Sequence, residues 1–314
     1  DLAGKVAALP KDGPVLTVAI LFLMAVGMKA AAFPLFFWLP ASYHTPNAVV
    51  SAVFSGLLTK VGVYALIRVF TLIFADVSDL IFTILIAVSV LTMILGVLGA
   101  LAESDLRRVA AFTVVSGIGY MLLGLGIGTE LALVGALLYT VHSMILSAAL
   151  FMGSGIAQHF TGAVRLPKLG GLYSLAPFYA AGFLICCFSL AGLPPFSGFW
   201  PKFVLVKASL DASQYTATAA VLISGFLTVL TIGKIYSIGF WRERDPDLPP
   251  IDPAAGGPQP TGRIASFWAM TALMIGLGLA AGPVSSVASQ AAGQLLSPSA
   301  YIAVVLPETE GAGS

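Results

Sequence analysis

Charge is what this sequence has least of: Asp, Glu, Lys and Arg make up 9% of its 314 residues, against a hydrophobic share of 58% and a mean hydropathy of +0.98. Ordinary soluble domains carry about a quarter charged residues, so composition excludes a water-soluble fold. The few charges nearly cancel at a formal +1, which indicates neither a nucleic acid nor an acidic partner. Cysteine is almost missing as well. Cys186 and Cys187 are adjacent in an apolar run, where they neither bridge readily nor offer metal-ligand spacing, and they read as packing residues. The sequence shows no Walker loop, nucleophile triad or metal cluster, so an ATP-driven pump, a membrane hydrolase and a bound cofactor all lack support. Gly117-Ile118-Gly119 and Gly124-Leu125-Gly126-Ile127-Gly128 fall inside an apolar run with no βαβ unit around them, and so read as sites of close helix packing. An initiator Met and a signal-peptide layout are missing too; the abrupt start at Asp1 suggests the later portion of a longer protein.

What the sequence does have is long apolar runs. A hydrocarbon core of about 30 Å takes roughly 20 helical residues to cross. Eight candidate spans result: 15–38, 48–72, 78–102, 108–128, 131–157, 174–208, 214–241 and 263–290. The expected fold is therefore an all-α, polytopic transmembrane bundle. Connections after the odd spans carry Arg107, Arg108, Arg165, Lys168, Arg242, Arg244 and Arg263, whereas the opposite side has Lys5, Lys11, Arg68 and Lys207. The positive-inside rule makes the first side cytoplasmic and places both ends outside the cytoplasm. A proline-rich stretch, 242–262, reads as an exposed cytoplasmic linker, and 263–314 as a final span with a tail too polar for another crossing.

Two segments echo each other. Pro34 and Pro40 flank Leu35-Phe36-Phe37-Trp38-Leu39, and Pro195 and Pro201 flank Phe196-Ser197-Gly198-Phe199-Trp200. Such prolines should break their helices, and broken backbone survives at membrane depth only where protein or a wet cavity satisfies it. The echo continues from Ser55-Gly56-Leu57-Leu58-Thr59 to Ser224-Gly225-Phe226-Leu227-Thr228. The paired elements lie five spans apart, so the repeats run in opposite directions through the membrane. Inverted repeats with discontinuous helices are a transporter design whose ion site lies near the midplane.

Lys29, Lys60, His142, Lys202 and Lys234 lie in or beside the spans, while all fourteen acids fall in connectors, ends or tails. A cation at membrane depth must face protein or water. Desolvation disfavours its charged form and a nearby carboxylate favours it, so a moving carboxylate loads or releases a proton. The expected partner carboxylate must come from outside these spans. Lys29 and Lys60 sit deep in their spans and Lys202 follows the second break, which favours function over snorkelling. For Lys234, nearer an interface, snorkelling competes equally. His142 suits a proton shuttle, with its reference pKa of about 6.5; the alternative is a neutral histidine bonded between helices. His44 and His159 fall in connectors and read as solvated. The hydroxyls of Tyr120, Tyr139, Ser143 and Ser147 could carry water chains or simply pack.

The run from Met28-Lys29 to Trp38-Leu39-Pro40, then Tyr43-His44-Thr45-Pro46, then Ser55 to Lys60 and Tyr64, resembles the antiporter-like subunits shared by respiratory complex I and Mrp antiporters. Ser104-Asp105-Leu106-Arg107-Arg108, Gly119-Tyr120-Met121, His142 with Ala149-Leu150-Phe151, and Leu190 through Lys202 follow in the family's order, so the resemblance covers Val15 to Trp241. The stretch 36–44 and Trp200-Pro201-Lys202 are most similar to the Mrp-type, multisubunit sodium/proton branch. The resemblance implies fourteen helices in two inverted five-helix repeats plus flanking helices. Residues 1–74 would then end the first repeat, 75–241 form the second, and a glutamate of the fifth helix precede this chain. It implies that Lys29 pairs with that glutamate, Lys60 bridges, His142 connects and Lys202 terminates the relay. Ser147 departs from the family, many of whose members have a lysine there, which puts a lysine-only wire in doubt. Implied partners are other subunits of a hetero-oligomeric antiporter complex, protons, and Na+ or another monovalent cation, in a cell membrane and without covalent catalysis. Two other readings stay open: a proton-pumping, non-redox subunit of an NADH-quinone oxidoreductase or membrane hydrogenase, and a purely structural membrane scaffold.

Overall fold

A computed structural model describes residues 13–75, 77–244 and 261–297, together with positions 5, 6, 8, 246, 301 and 302. Most of the proline-rich linker and of the tail lies outside the described residues. Among the described residues thirteen helices follow one another: α1 (Pro14–Ala30), α2 (Trp38–Tyr43), α3 (Ala48–Leu72), α4 (Asp79–Ala102), α5 (Leu106–Ile127), α6 (Glu130–Thr161), α7 (Leu166–Leu169), α8 (Leu172–Leu175), α9 (Pro177–Ala191), α10 (Phe199–Asp211), α11 (Tyr215–Ile235, continuing as a π-helical turn to Trp241), α12 (Thr261–Leu279) and α13 (Ala281–Leu295). Extended pairing is confined, among the described residues, to one isolated bridge between Asp105 and Arg165.

Local chemistry sets the helix ends. The side chains of Asn47, Ser78, Asp105 and Thr129 accept hydrogen bonds from first-turn amides of α3, α4, α5 and α6, which satisfies donors that a helix start leaves free. The 32-residue α6 is the axis of the bundle and packs against α3, α5, α9, α10, α12 and α13. Behind it, α5 is buried along most of its length. A methyl group at Gly119 would sit 2.6 Å from the Met93 amide nitrogen of α4, so glycine there is what allows the two backbones to touch.

Among the described residues six helices are long and apolar enough to cross a membrane: α3, α4, α5, α6, α11 with its π-helical turn, and α12. The first and sixth expected spans are instead interrupted. α1 stops at Ala30 and α2 starts at Trp38, while α9 stops at Ala191 and α10 starts at Phe199. Both helices end in a left-handed residue, Ala31 (φ +62°) and Gly192 (φ +85°), and both close with the same six-residue bond, Ala32 N–H to the Gly27 carbonyl and Leu193 N–H to the Phe188 carbonyl. The first proline of each pair, Pro34 or Pro195, lies in the break. Both segments thus break their helices as expected, and the second proline of each restarts one: Pro40 and Pro201 are the third residues of α2 and α10. A first-turn residue needs no amide donor, so proline is tolerated there.

The eighth expected span, 263–290, also needs correction. Its helix α12 ends at Leu279, Ala280 is non-helical, and a separate helix, α13, continues to Leu295. Ser285, Ser286, Ser289, Gln290 and Gln294 make α13 too polar to extend an apolar crossing.

Candidate functional site

Lys60, at the centre of α3, is 2% exposed. Its Nζ donates to the Ser55 carbonyl at 2.6 Å and to Ser147 Oγ on α6 at 3.4 Å. Ser147 Oγ in turn reaches the same Ser55 carbonyl at 3.1 Å and the Ser143 carbonyl at 2.6 Å. A hydroxyl at position 147 gives Lys60 a short polar partner, where a second ammonium would face it with like charge.

The second break gathers most of the remaining polar groups. His142, on α6 and 2% exposed, places Nδ1 2.9 Å from Ser197 Oγ, which lies 3.1 Å from Ser189 Oγ on α9. His142 Nε2 is buried without a hydrogen-bond partner among the described residues. A methyl group at Gly198 would collide with the Ser189 carbonyl and come within 3.0 Å of the imidazole, so only glycine lets the break lie this close to α6. Lys202, on α10 and 9% exposed, donates to the carbonyls of Leu190 and Ala191 at 2.7 and 3.0 Å. It therefore caps the C-terminus of α9, where carbonyls left free by the break favour a cation. Its Nζ also lies 5.2 Å from the Tyr120 ring centroid, within cation–π reach. Tyr120 stacks on Tyr139 at 4.7 Å, and Tyr139 meets His142 edge-on at 5.6 Å, so the two aromatic rings fill the space between lysine and histidine. A small void of about 10 Å³ beside Lys202 is bordered by Thr113, Ser116, Thr228 and Thr231.

The break is held from outside by α12. The Ser197 amide donates to the Met274 carbonyl at 3.2 Å, and the Trp200 indole to the Gly278 carbonyl at 2.9 Å. In the first break, the Phe33 amide finds Thr92 Oγ1 of α4 at 2.9 Å, and the Trp38 indole the Met28 carbonyl at 2.9 Å. Each interruption thus finds protein partners for amides that would cost several kcal/mol if left bare at membrane depth.

Two expected site residues sit elsewhere. Lys29 is exposed among the described residues: α1 turns Val15, Ala19, Leu23, Gly27 and Ala30 inward, and Lys29 falls outside that stripe, on a face open to whatever packs there beyond these helices. Depth along a helix places a residue in height but not in rotation. Lys234 is half-buried on α11 and donates to the Leu101 and Glu103 carbonyls at 2.7 and 2.6 Å, capping the end of α4. The structure thus brings Lys60, His142 and Lys202 around α6 and leaves Lys29 and Lys234 at the margins. Among the described residues no carboxylate pairs with any of these five; Arg108–Glu103 at 3.2 Å is an ion pair near a helix end. Ser189 and Ser197 escaped sequence reasoning. The available signal was that Ser197-Gly198 occupies the positions where the first repeat has Phe36-Phe37.

Comparison with known proteins agrees with this arrangement. Residues 5–228 match the family model for NADH:quinone oxidoreductase/Mrp antiporter transmembrane proteins. A Na+/H+ antiporter subunit of Alkalihalophilus pseudofirmus is 41% identical over 308 residues, or 98% of this chain and 62% of that protein. Its counterpart from Bacillus subtilis, also a Na+/H+ antiporter subunit, is 37% identical over 309 residues, with the same coverage of 98% and 62%. The chain thus spans about 62% of the length of these relatives. A chain of the Mrp complex from Dietzia sp. superimposes with a TM-score of 0.86 at 32% identity, over 94% of this chain and 62% of that one. A chain of respiratory complex I from Thermus thermophilus shares the fold at a TM-score of 0.79 and 24% identity, over 94% and 62%. Sequence, fold and the broken-helix site therefore agree that this chain belongs to the NADH:quinone oxidoreductase/Mrp antiporter family of membrane subunits.

Proposed function

We propose that this chain is part of a membrane subunit of a monovalent cation/proton antiporter complex, and that Lys60, His142 and Lys202 carry protons through its interior. The observation that supports this reading most is the set of partners around the two buried lysines. Each amine is held by carbonyls and, for Lys60, a hydroxyl, with no carboxylate among the described residues to fix its charge. Such an amine tolerates both protonation states, which a relay requires. Ser147 links Lys60 to α6, and His142 lies between the lysines, one nitrogen bonded and the other without a partner among the described residues. Lys29, exposed on α1, faces away from this group; on this reading its counter-charge comes from a part of the assembly outside these helices. The charge asymmetry of the connectors puts the Arg107–Arg165 side in the cytoplasm.

The sodium/proton reading is preferred to a quinone-reductase pump because the relatives at 41% and 37% identity are antiporter subunits, whereas the likeness to complex I extends to the fold alone. The test is Lys60→Ala in the intact complex, with sodium-driven proton exchange followed in everted vesicles. Loss of about tenfold or more in rate, in the range expected when a positioned proton carrier is removed, supports the relay, provided that the complex still assembles. Unchanged exchange with intact assembly returns the chain to the scaffold reading.

A further inference from the structure

His142 has two nitrogens with opposite fates. Nδ1 is bonded to Ser197 at 2.9 Å and faces the interior of the second break. Nε2 is buried and bonded to nothing among the described residues, and the His142 side chain lines a cavity of about 20 Å³. That cavity lies under the joint between α12 and α13. Ser197 and Trp200 form one side, and Leu277, Val284 and Ser285 the other. α12 is pinned beside the cavity and ends just after it. Gly278 packs on the break so closely that a methyl group there would overlap the Pro195 carbonyl, and two residues later the helix is interrupted at Ala280.

The polar groups at this cavity are already sorted by their bonds. The Trp200 indole is taken by the Gly278 carbonyl, and Ser197 Oγ by His142 Nδ1 and Ser189. The hydroxyl of Ser285, a partly buried residue of α13, has no hydrogen-bond partner among the described residues. One buried imidazole nitrogen without a partner and one partly exposed hydroxyl therefore belong to residues lining a space the size of a single water. Cavities that stay dry are apolar, and about 10–15 Å³ suffices for one water. A hydrated cation does not fit.

We infer that one water molecule binds between His142 Nε2 and Ser285 under the α12–α13 joint, and gives the histidine a lateral proton connection toward α13. This rests on reading His142 as part of the relay. As the water takes up a proton from the α13 side it gives one of its own to Nε2. Nδ1 gives its proton to Ser197 Oγ as that hydroxyl passes its own to Ser189 Oγ and on into the break, so water, ring and hydroxyls are all neutral before and after, with the tautomer exchanged. Ser285 then acts as a positioning residue for the water.

The site can be tested in the whole antiporter complex. A high-resolution cryo-EM map of the wild-type complex is expected to show a density peak at hydrogen-bond distance, roughly 2.7–3.2 Å, from His142 Nε2. An empty cavity, or one filled by a side chain of another subunit, overturns the proposal. Ser285→Ala removes one anchor and is expected to slow exchange about fivefold, and Ser285→Val, which also fills space, to slow it further, both with normal assembly. Exchange unchanged in both variants overturns the lateral route. His142→Ala separates the two readings: full exchange in that variant defeats the relay itself, whereas the water density in the wild type is judged independently. If His142→Ala is slow and adding Ser285→Val slows it by the same factor as in the wild type, the two residues lie on separate routes and the proposal fails.

Discussion

The two breaks share one backbone plan and carry different side chains. Both end a helix in a left-handed residue, close it with the same bond, place a proline in the gap and restart with another proline in the first turn. In the first, the gap holds Phe36 and Phe37, its free amide is met by Thr92, and the nearby Lys29 is exposed. In the second, the corresponding positions are Ser197 and Gly198, the histidine of α6 reaches in, and Lys202 folds back onto the end of α9. A broken helix alone is therefore not a site. Polar groups gather at the second break, where small and hydroxylic residues let the imidazole of α6 and the amine of α10 approach the interrupted backbone.

This contrast can be broken at several points, most forcefully at Gly198. Gly198→Ala forces its methyl group into the Ser189 carbonyl and should cost about 2–3 kcal/mol through overpacking, read as a fall in the melting temperature of the purified complex. Phe37→Ala, at the corresponding but exposed place in the first break, should leave that temperature nearly unchanged. Next in size is Lys202→Met. It leaves the Leu190 and Ala191 carbonyls without their cap and should cost about 1–3 kcal/mol together with most of the exchange activity. Lys29→Met, on an exposed face, should leave the melting temperature in place and act on exchange alone. Smallest is Thr92→Val, which strips the Phe33 amide of its acceptor for about 1–2 kcal/mol. A stability loss at Thr92 with exchange preserved per assembled complex would mark the first break as framework, whereas an equal loss of both would erase the distinction between the two breaks.

How much of this could be read in advance depended on the kind of fact. Hydropathy and the proline pairs located the helices and both interruptions, because a missing amide and a steric clash act within a few residues. Which face of α1 packs on α3 is not readable from hydropathy, since nearly every position of that helix is apolar; Lys29 falls on the face these helices leave open. The contact between His142 and Ser197 spans 55 positions and depends on how closely the break approaches α6, which Gly198 permits without announcing it. Lys234 was ambiguous for a good reason: a long basic side chain near a helix end finds either headgroups or free carbonyls, and here it finds those of α4. The fold of α12 and α13 was misjudged because the apolar residues continue past Ala280 at low density among serines and glutamines.

Met274 and Gly278 are one turn apart on the same helix, and their carbonyls grip Ser197 and Trp200 respectively. They act like adjacent teeth of a rack, spaced by four residues or about 6 Å of helix axis. An axial slip of α12 must either drag the serine that holds the imidazole or let go of both teeth at once, so whatever grasps the outer end of that helix has a handle on the histidine.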